Sequence, residues 1–338
     1  LGAAATGGFM VFERARLLRA LLAIAGGTVA VVIVVRLLLA LVVDTSYTMD
    51  QAVQEMQKSQ LSPDTIVHRQ AVAPDAAYTG LTPLERIRAR GSLKIGYDAD
   101  NLPMSFFNTR DELVGFDVEV AEQLARALAV RAEFIPVKWA ELPGLLAEGV
   151  IDVMPGVWYR PYWFSSLRLS QPYFTATMGL AVLDKRRREF SSLDALRQSK
   201  GLKIGVPLDQ RQISTSMRHY FGGSDAEFVT VDFWRPYFEG QHPEIDGFLM
   251  PAEHAAAWSL LYPQYTAVVP LPDPVEVPSA FGLARDAGEL LDLVNEWVLF
   301  AEKAGLIDNN YDYWILGQGA KKIEPRWSIM RNVLGWQD

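Results

Sequence analysis

Few residues in this chain could do chemistry by type and spacing alone. There is no cysteine, which removes disulfides, iron–sulfur clusters and thiolate zinc sites from consideration. The four histidines, His68, His219, His242 and His254, show no paired metal-ligand spacing, so no metal site is expected. Catalysis would need an acid or base of tuned pKa beside a reacting group. His219 falls inside a helical stretch and His254 follows Glu253, but neither comes with a nucleophile or a metal pattern. Neither enzyme activity nor a cofactor is therefore expected. The 32 basic and 40 acidic residues give a formal charge of -8. A surface that neutralises phosphates needs the opposite balance, so nucleic acid is not an expected partner. What remains is binding, and one stretch, VWYRPYWF, gathers Trp158, Tyr159, Tyr162 and Trp163 around Arg160.

These side chains need elements to position them. With 338 residues, half of them apolar, the chain has material for more than one domain and a sizeable core. From Ala20 to Val43 runs an apolar stretch whose only charge is Arg36, long enough for a bilayer that needs roughly 20 such residues. A cleaved signal peptide is the rival, but its apolar core is about 7–15 residues and ends at small residues, whereas this run ends LALVVDTSYT. Arg14, Arg16 and Arg19 precede it and Asp44 and Asp50 follow, which places the N-terminal side in the cytoplasm. Arg36 lies two turns from the outer end, roughly 10 Å, within partial reach of a snorkelling side chain; the alternative is a polar partner or pathway. The apolar opening LGAAATGGF lacks Met, and the expectation is that Leu1 lies inside a longer chain.

Beyond the apolar run, MDQAVQEMQKS has helical character and the Pro- and Ala-containing stretch after it has no sustained period, which predicts a stalk and linker. Thr82-Pro83 starts a short helix that Gly91 can stop. LKIGYD then reads as a strand, VEVAEQLARALAV as a helix, AEFIPV as a strand, WAELPGLLAEGV as a helix and VIDVMPGVW as a strand. After Phe190 the theme repeats, with SSLDALRQ a helix, LKIGVP a strand, QISTSMRHYF a helix and AEFVTV a strand. Such alternation predicts parallel sheets covered by helices. Two α/β units joined by extended crossings near Phe174 to Leu183 and Tyr265 to Pro270 would leave a cleft between two lobes, a favoured place for a small molecule.

The run LKIGYDADNLPMSFFNTRDELVGFDVEVAEQLARAL, the later LSQPYF and the closing NEWVLFAEKAGLIDNNYDYWILG resemble the polar amino-acid-binding proteins of bacterial uptake systems, the extracellular solute-binding proteins of family 3. The likeness implies an α/β, two-lobed periplasmic-binding-protein type II fold, here with an N-terminal transmembrane helix. YDYWILG followed by EPRWSIMRNVLGW is also similar to bacterial proteins in which such a domain is fused behind a dicarboxylate/amino-acid:cation symporter.

The resemblance implies where a ligand would be held. A zwitterion in a partly dry cleft needs a fixed cation for its carboxylate, an acid for its ammonium, and aromatic faces. The family's acid after the first strand falls on Asp98, with Asp100 as rival, and Asp98 can equally serve as a turn cap. Asn101 stands where the family has an aromatic before the loop proline. Trp139 falls where the family often places a cleft aromatic, with simple packing as its other role. The family's carboxylate-binding arginine, in a TxxR motif ahead of FSxPY, is replaced here by Trp163. Arg160, one helical turn earlier, could swing into that space, with Arg168 a poorer candidate and a surface salt bridge the alternative for Arg160. The displaced arginine and the cluster containing Trp158 point to an altered ligand, or to a site that no longer binds amino acids. In the second lobe Pro207-Leu208-Asp209-Gln210-Arg211 replaces the family's Gly-Thr, making Arg211 a substitute cation, and Glu253 stands near the family's ammonium-binding acid.

The expected organisation is 1–19 on the cytoplasmic side, as the possible end of an upstream membrane domain, 20–43 transmembrane, 44–90 stalk and linker, 91–317 solute-binding domain and 318–338 tail. Within the domain, lobe 1 takes in about 91–178 and 270–317 and lobe 2 about 185–264. The expected function is capture of a small amino-acid-like or carboxylate solute by lobe closure, with delivery to a fused or associated transporter at the inner membrane, the domain lying on the periplasmic side. A sensing domain, or a degenerate domain that only regulates the transporter, is the alternative.

Overall fold

A computed structural model describes residues 4–6, 9–11, 14–42, 49–59, 64–207 and 214–320. The chain divides into two compact units, Leu1–Thr48 with Ile323–Asp338, and Met49–Lys322. In the first, Ala4–Thr6 (β1) and Phe9–Val11 (β2) pair antiparallel, and Arg14–Val42 forms one helix, α1. Its 21 residues from Leu18 to Leu38 are exposed and, apart from Arg19, Thr28 and Arg36, apolar, and at ~1.5 Å per residue they extend about 30 Å, the thickness of a hydrocarbon core. The helix begins ahead of the apolar run and takes in Arg14, Arg16 and Arg19.

The second unit opens with Met49–Gln54 (α2) and the short strand Ile66–Val67 (β3). Val53 and Met56 are buried, the Lys58 amine meets the Glu122 carboxylate, and Asn108 donates to the Met56 carbonyl at 3.0 Å. Of the stretch expected as stalk and linker, the described parts 49–59 and 66–67 are therefore attached to the domain, while most of 71–82 is exposed. Pro83–Arg90 (α3) starts on a capping box: Thr82 accepts from the Glu85 N–H at 3.3 Å while Glu85 accepts from the Thr82 N–H at 2.9 Å, so two end donors are satisfied at once. It stops at Gly91, whose φ of 71° favours glycine.

Ser92–Tyr97 (β4) is buried along its whole length, as a strand covered on both faces must be. Asp100–Asn101 (β5), Ser105–Phe107 (β6) and Leu113–Val114 (β7) make a small antiparallel sheet that leads into Phe116–Ala127 (α4). Gly115 between them is obligatory, because a Cβ there would sit 2.3 Å from the Met104 carbonyl oxygen. Arg131–Pro136 (β8), Leu142–Ala147 (α5), Val153–Trp158 (β9), Arg168–Leu169 (β10) and Phe174–Leu183 (β11) follow. The second lobe runs through Leu193–Gln198 (α6), Lys203–Pro207 (β12), Ser214–Phe221 (α7), Glu227–Val231 (β13), Arg235–Phe238 (α8), Gly247–Pro251 (β14), Ala252–Leu261 (α9) and Tyr265–Val268 (β15). Glu276–Leu283 (β16), Gly288–Lys303 (α10) and Leu306–Trp314 (α11) return to the first lobe. Along α10, Leu290, Leu291, Val294, Trp297, Val298 and Ala301 are buried, one stripe of a 3.6-residue period.

The long sheet orders its strands β13-β12-β14-β11-β16-β9-β4-β8-β3. In lobe 1, β4 runs parallel to β8 and β9; in lobe 2, β12 runs parallel to β13 and β14. The lobes meet through β11, whose first half pairs with β16 and second half with β14 and β15. The outward crossing is where the sequence predicts it. The return crossing is β16 rather than Tyr265–Pro270, which stays in lobe 2 as a partner of β11.

Candidate ligand-binding cleft

A cavity of about 1150 Å³ opens between the lobes, somewhat above the roughly 300–1,000 Å³ of most small-molecule sites. Its walls come from the carboxyl ends of parallel strands, where side chains and free backbone groups converge. Lobe 1 contributes Asn101 and Met104 from beyond β4, Lys138 and Trp139 from beyond β8, and Trp158 at the end of β9 with Tyr162 and Trp163 in the turn after it. Phe174, Ala176 and Ser279 form the floor on the crossing strands; lobe 2 contributes Pro207, Asp232, Phe233, Trp234 and His254.

The eight residues singled out from sequence occupy different places. Trp139, Trp158 and Trp163 line the cavity. Trp163 is buried and its ring lies 4.4 Å from that of Tyr162 at 32°. Asp98 stands behind Trp139, accepting from its indole N–H at 3.0 Å and from the Asp100 backbone N–H at 3.1 Å; it caps a turn and fixes a ring together. Burial pushes its carboxyl above the usual range.

Asp100 points across the cleft. Arg235, on α8, grips it with two nitrogens, Nε at 2.8 Å from Oδ2 and the second on Oδ1, a bidentate pair linking the lobes. The hydrogen bonds from Arg235 to Asp100 raise the guanidinium pKa, and the guanidinium lies 4.7 Å above the Trp258 ring. Beside it, His254 Nε2 lies 2.9 Å from Asn101 Oδ1 and serves as donor to that oxygen. Burial pushes His254 down to about 3, so the ring is neutral at physiological pH.

Arg160 is half-buried at the start of the turn containing Tyr162 and Trp163. Burial lowers its pKa, and it lies outside the cavity lining. Arg168 sits on β10 and is exposed. Glu253 also lies outside the lining: its carboxylate accepts from the Thr177 N–H at 3.1 and 3.3 Å, holding β11 where it leaves one lobe for the other. Burial raises its pKa. Arg211 falls outside the described residues.

Sequence reasoning missed Asp117, Phe233, Trp234 and Arg235. Asp117 lines the cavity, receives the Tyr173 hydroxyl, and is pushed up to about 7 by burial. Tyr173 in turn accepts from the Gly156 N–H at 2.8 Å. Gly156 has φ 75°, and a Cβ there would meet Asp117 Oδ2 at 2.6 Å, so only glycine permits this approach. The signal for the others was DFWRPYF, an aromatic run just past a lobe 2 strand that echoes VWYRPYWF in lobe 1. Among the described residues no group of three or more His, Asp or Glu could hold a metal ion.

Residues 93–317 match the bacterial extracellular solute-binding proteins, family 3. Cyclohexadienyl dehydratase of Pseudomonas aeruginosa is 24% identical over 245 residues, 69% of this chain and 85% of that protein. The L-cystine-binding protein TcyJ of Escherichia coli K12 is 32% identical over 126 residues, 37% of this chain and 46% of that protein. Among solved structures, an ancestral amino-acid-binding protein described as a precursor of cyclohexadienyl dehydratase superposes with a TM-score of 0.60 at 25% identity, covering 70% of this chain and all of the other.

Proposed function

The chain belongs to the bacterial extracellular solute-binding proteins, family 3, and from that premise we propose that it captures a small amino-acid-like solute between its lobes and delivers it to a membrane transporter. The observation that carries this reading is the cavity of about 1150 Å³ at the carboxyl ends of both sets of parallel strands, with aromatic walls from each lobe. Closure is supported by the join: two crossing strands on one side and, on the other, side-chain links that can part, Asp100 with Arg235 and Asn101 with His254. Tethering is supported by the apolar length of α1. The proposed setting is the inner membrane with the domain outside, and the proposed recipient is a symporter fused ahead of α1, on the likeness of YDYWILG and the run after it.

The test is calorimetry of the full chain in lipid nanodiscs against panels of amino acids, amines and dicarboxylates, followed by uptake of any hit into cells with and without residues 49–322. Heat at one-to-one stoichiometry and uptake that needs the domain support capture and delivery. Silence of every panel in both heat and thermal shift removes capture; binding without any effect on uptake removes delivery and favours sensing.

One observation favours a second reading. Asp117 titrates near neutral on the cavity wall, as a general acid would, and one relative is a dehydratase. Recovery of the bound solute chemically unchanged after long incubation decides for binding; conversion that Asp117→Asn abolishes decides for catalysis.

A further inference from the structure

The cleft's walls carry one kind of charge preference. Trp139, Trp158, Tyr162 and Trp163 face it from lobe 1, and Phe233 and Trp234 from lobe 2. Ring faces are electron-rich and attract cations, most strongly where water is excluded. Two of these rings are set in advance: Trp139 by its hydrogen bond to Asp98 and Trp163 by its close, tilted contact with Tyr162. A rigid aromatic wall loses little freedom on binding. The carboxylate that accepts the Trp139 N–H also pushes electron density into that indole, which strengthens its attraction for a cation.

The titratable groups point the same way. Asp117 and Asp232 lie on the lining, and Asp98 lies one hydrogen bond behind it. Among the described lining residues the only basic side chains are Lys138, which is exposed, and His254. His254 spends its Nε2 on Asn101 and is neutral. Arg235, at the edge, is already committed to Asp100. Among the described residues the ring faces, Asp117 and the carboxylate behind Trp139 favour a cation, with the exposed Lys138 set against the equally exposed Asp232.

This inference rests on the cleft being a solute site. We propose that the solute is an organic cation whose charge is spread over apolar groups, a methylated ammonium or a guanidinium, and that a carboxylate on it contributes little to its affinity.

The experiment titrates the full chain, in phosphatidylglycerol nanodiscs so that no choline headgroup is present, with five probes: choline, its neutral tert-butyl analogue, agmatine, arginine and succinate. Heat and tryptophan quenching are read together. The expected result is binding of choline or agmatine, with the neutral analogue on the order of tenfold weaker than choline, arginine no tighter than agmatine, and no signal from succinate. Trp139→Leu lowers cation affinity on the order of tenfold and Trp139→Phe far less, each with thermal melting to show that the fold persists. Equal binding of choline and its neutral analogue overturns the proposal in favour of a merely apolar cleft. Binding of arginine or succinate that needs the carboxylate, lost in Arg211→Ala, overturns it in favour of a carboxylate clamp and leaves solute capture standing. If all five probes and the amino-acid panel are silent, the cation proposal and the capture reading fall together.

Discussion

The tripeptide Arg-Pro-Tyr occurs on both sides of the cleft, as Arg160-Pro161-Tyr162 after β9 and as Arg235-Pro236-Tyr237 after β13. Each opens a short helical turn with proline at its start, where the missing N–H costs nothing. Their surroundings separate them. Tyr237 is buried among Phe238, Phe248 and Tyr265 and donates to the Ala181 carbonyl at 3.0 Å; Tyr162 is half-buried and lines the cavity. Arg235 reaches a carboxylate of the other lobe and its pKa rises, while burial lowers that of Arg160. The lobe 2 turn is thus part of a core and a latch, and the lobe 1 turn is part of a wall. Identical residues do different work because burial and charge partners, not sequence, set what each can do.

The sharpest way to break this contrast is to remove both tyrosine rings in turn. Tyr237→Ala is expected to cost about 3–5 kcal/mol, as large aromatic deletions in cores do, and Tyr162→Ala less than half as much, read from urea unfolding. Equal costs would erase the distinction between core and wall.

Next in size is a pH effect of opposite sign in the two lobes. Asp117 has a folded pKa of about 7 against 3.8, so the folded state holds the extra proton and stability from this group falls as pH rises from about 4 to 7. His254 has a folded value of about 3 against 6.5, so the unfolded state holds the extra proton and stability rises from about pH 3 to 6.5. Each shift is worth up to about 4 kcal/mol, and in the wild type the two nearly cancel. Asp117→Asn is expected to leave stability rising with pH between 4 and 6.5, and His254→Gln to leave it falling, in denaturant titrations across that range. Parallel pH profiles in both variants would contradict the assignment.

The smallest effect is the latch. Asp100 and Arg235 are about a third exposed or more, so their coupling in a double-mutant cycle is expected at about 0.5–1 kcal/mol and should fade in high salt. Arg235→Ala should enlarge the open population of the lobes; Arg160→Ala should not.

Much of the scaffold is legible in the sequence because it rests on local signals. The capping box at Thr82, the stop at Gly91, the buried run LKIGY and the stripe along α10 are read from neighbours within a few residues. Trp139, Trp158 and Trp163 are recognisable as cleft candidates from the resemblance and the aromatic cluster, and Trp158 closes β9 while Trp139 and Trp163 fall in the turns after β8 and β9. The return crossing is less legible: β16 contains Pro278, and proline inside a run argues against a strand. The latch is not legible at all. Asp100 and Arg235 are separated by 135 residues, and only the fold brings them together, so Asp100 reads from sequence as a loop acid. Glu253 likewise reads as a ligand acid because nothing local reveals that the Thr177 N–H lies above it.

The central claim, that two lobes close on a solute in an aromatic cleft, is tested most directly by the distance between them. The chain has no cysteine, so Arg110→Cys and Glu227→Cys, exposed positions on opposite lobes, accept a pair of spin labels without background. The account predicts that a binding cation shortens and narrows the distance distribution, and that Arg235→Ala broadens it in the absence of solute. A distribution that stays unchanged by a solute shown to bind would contradict it.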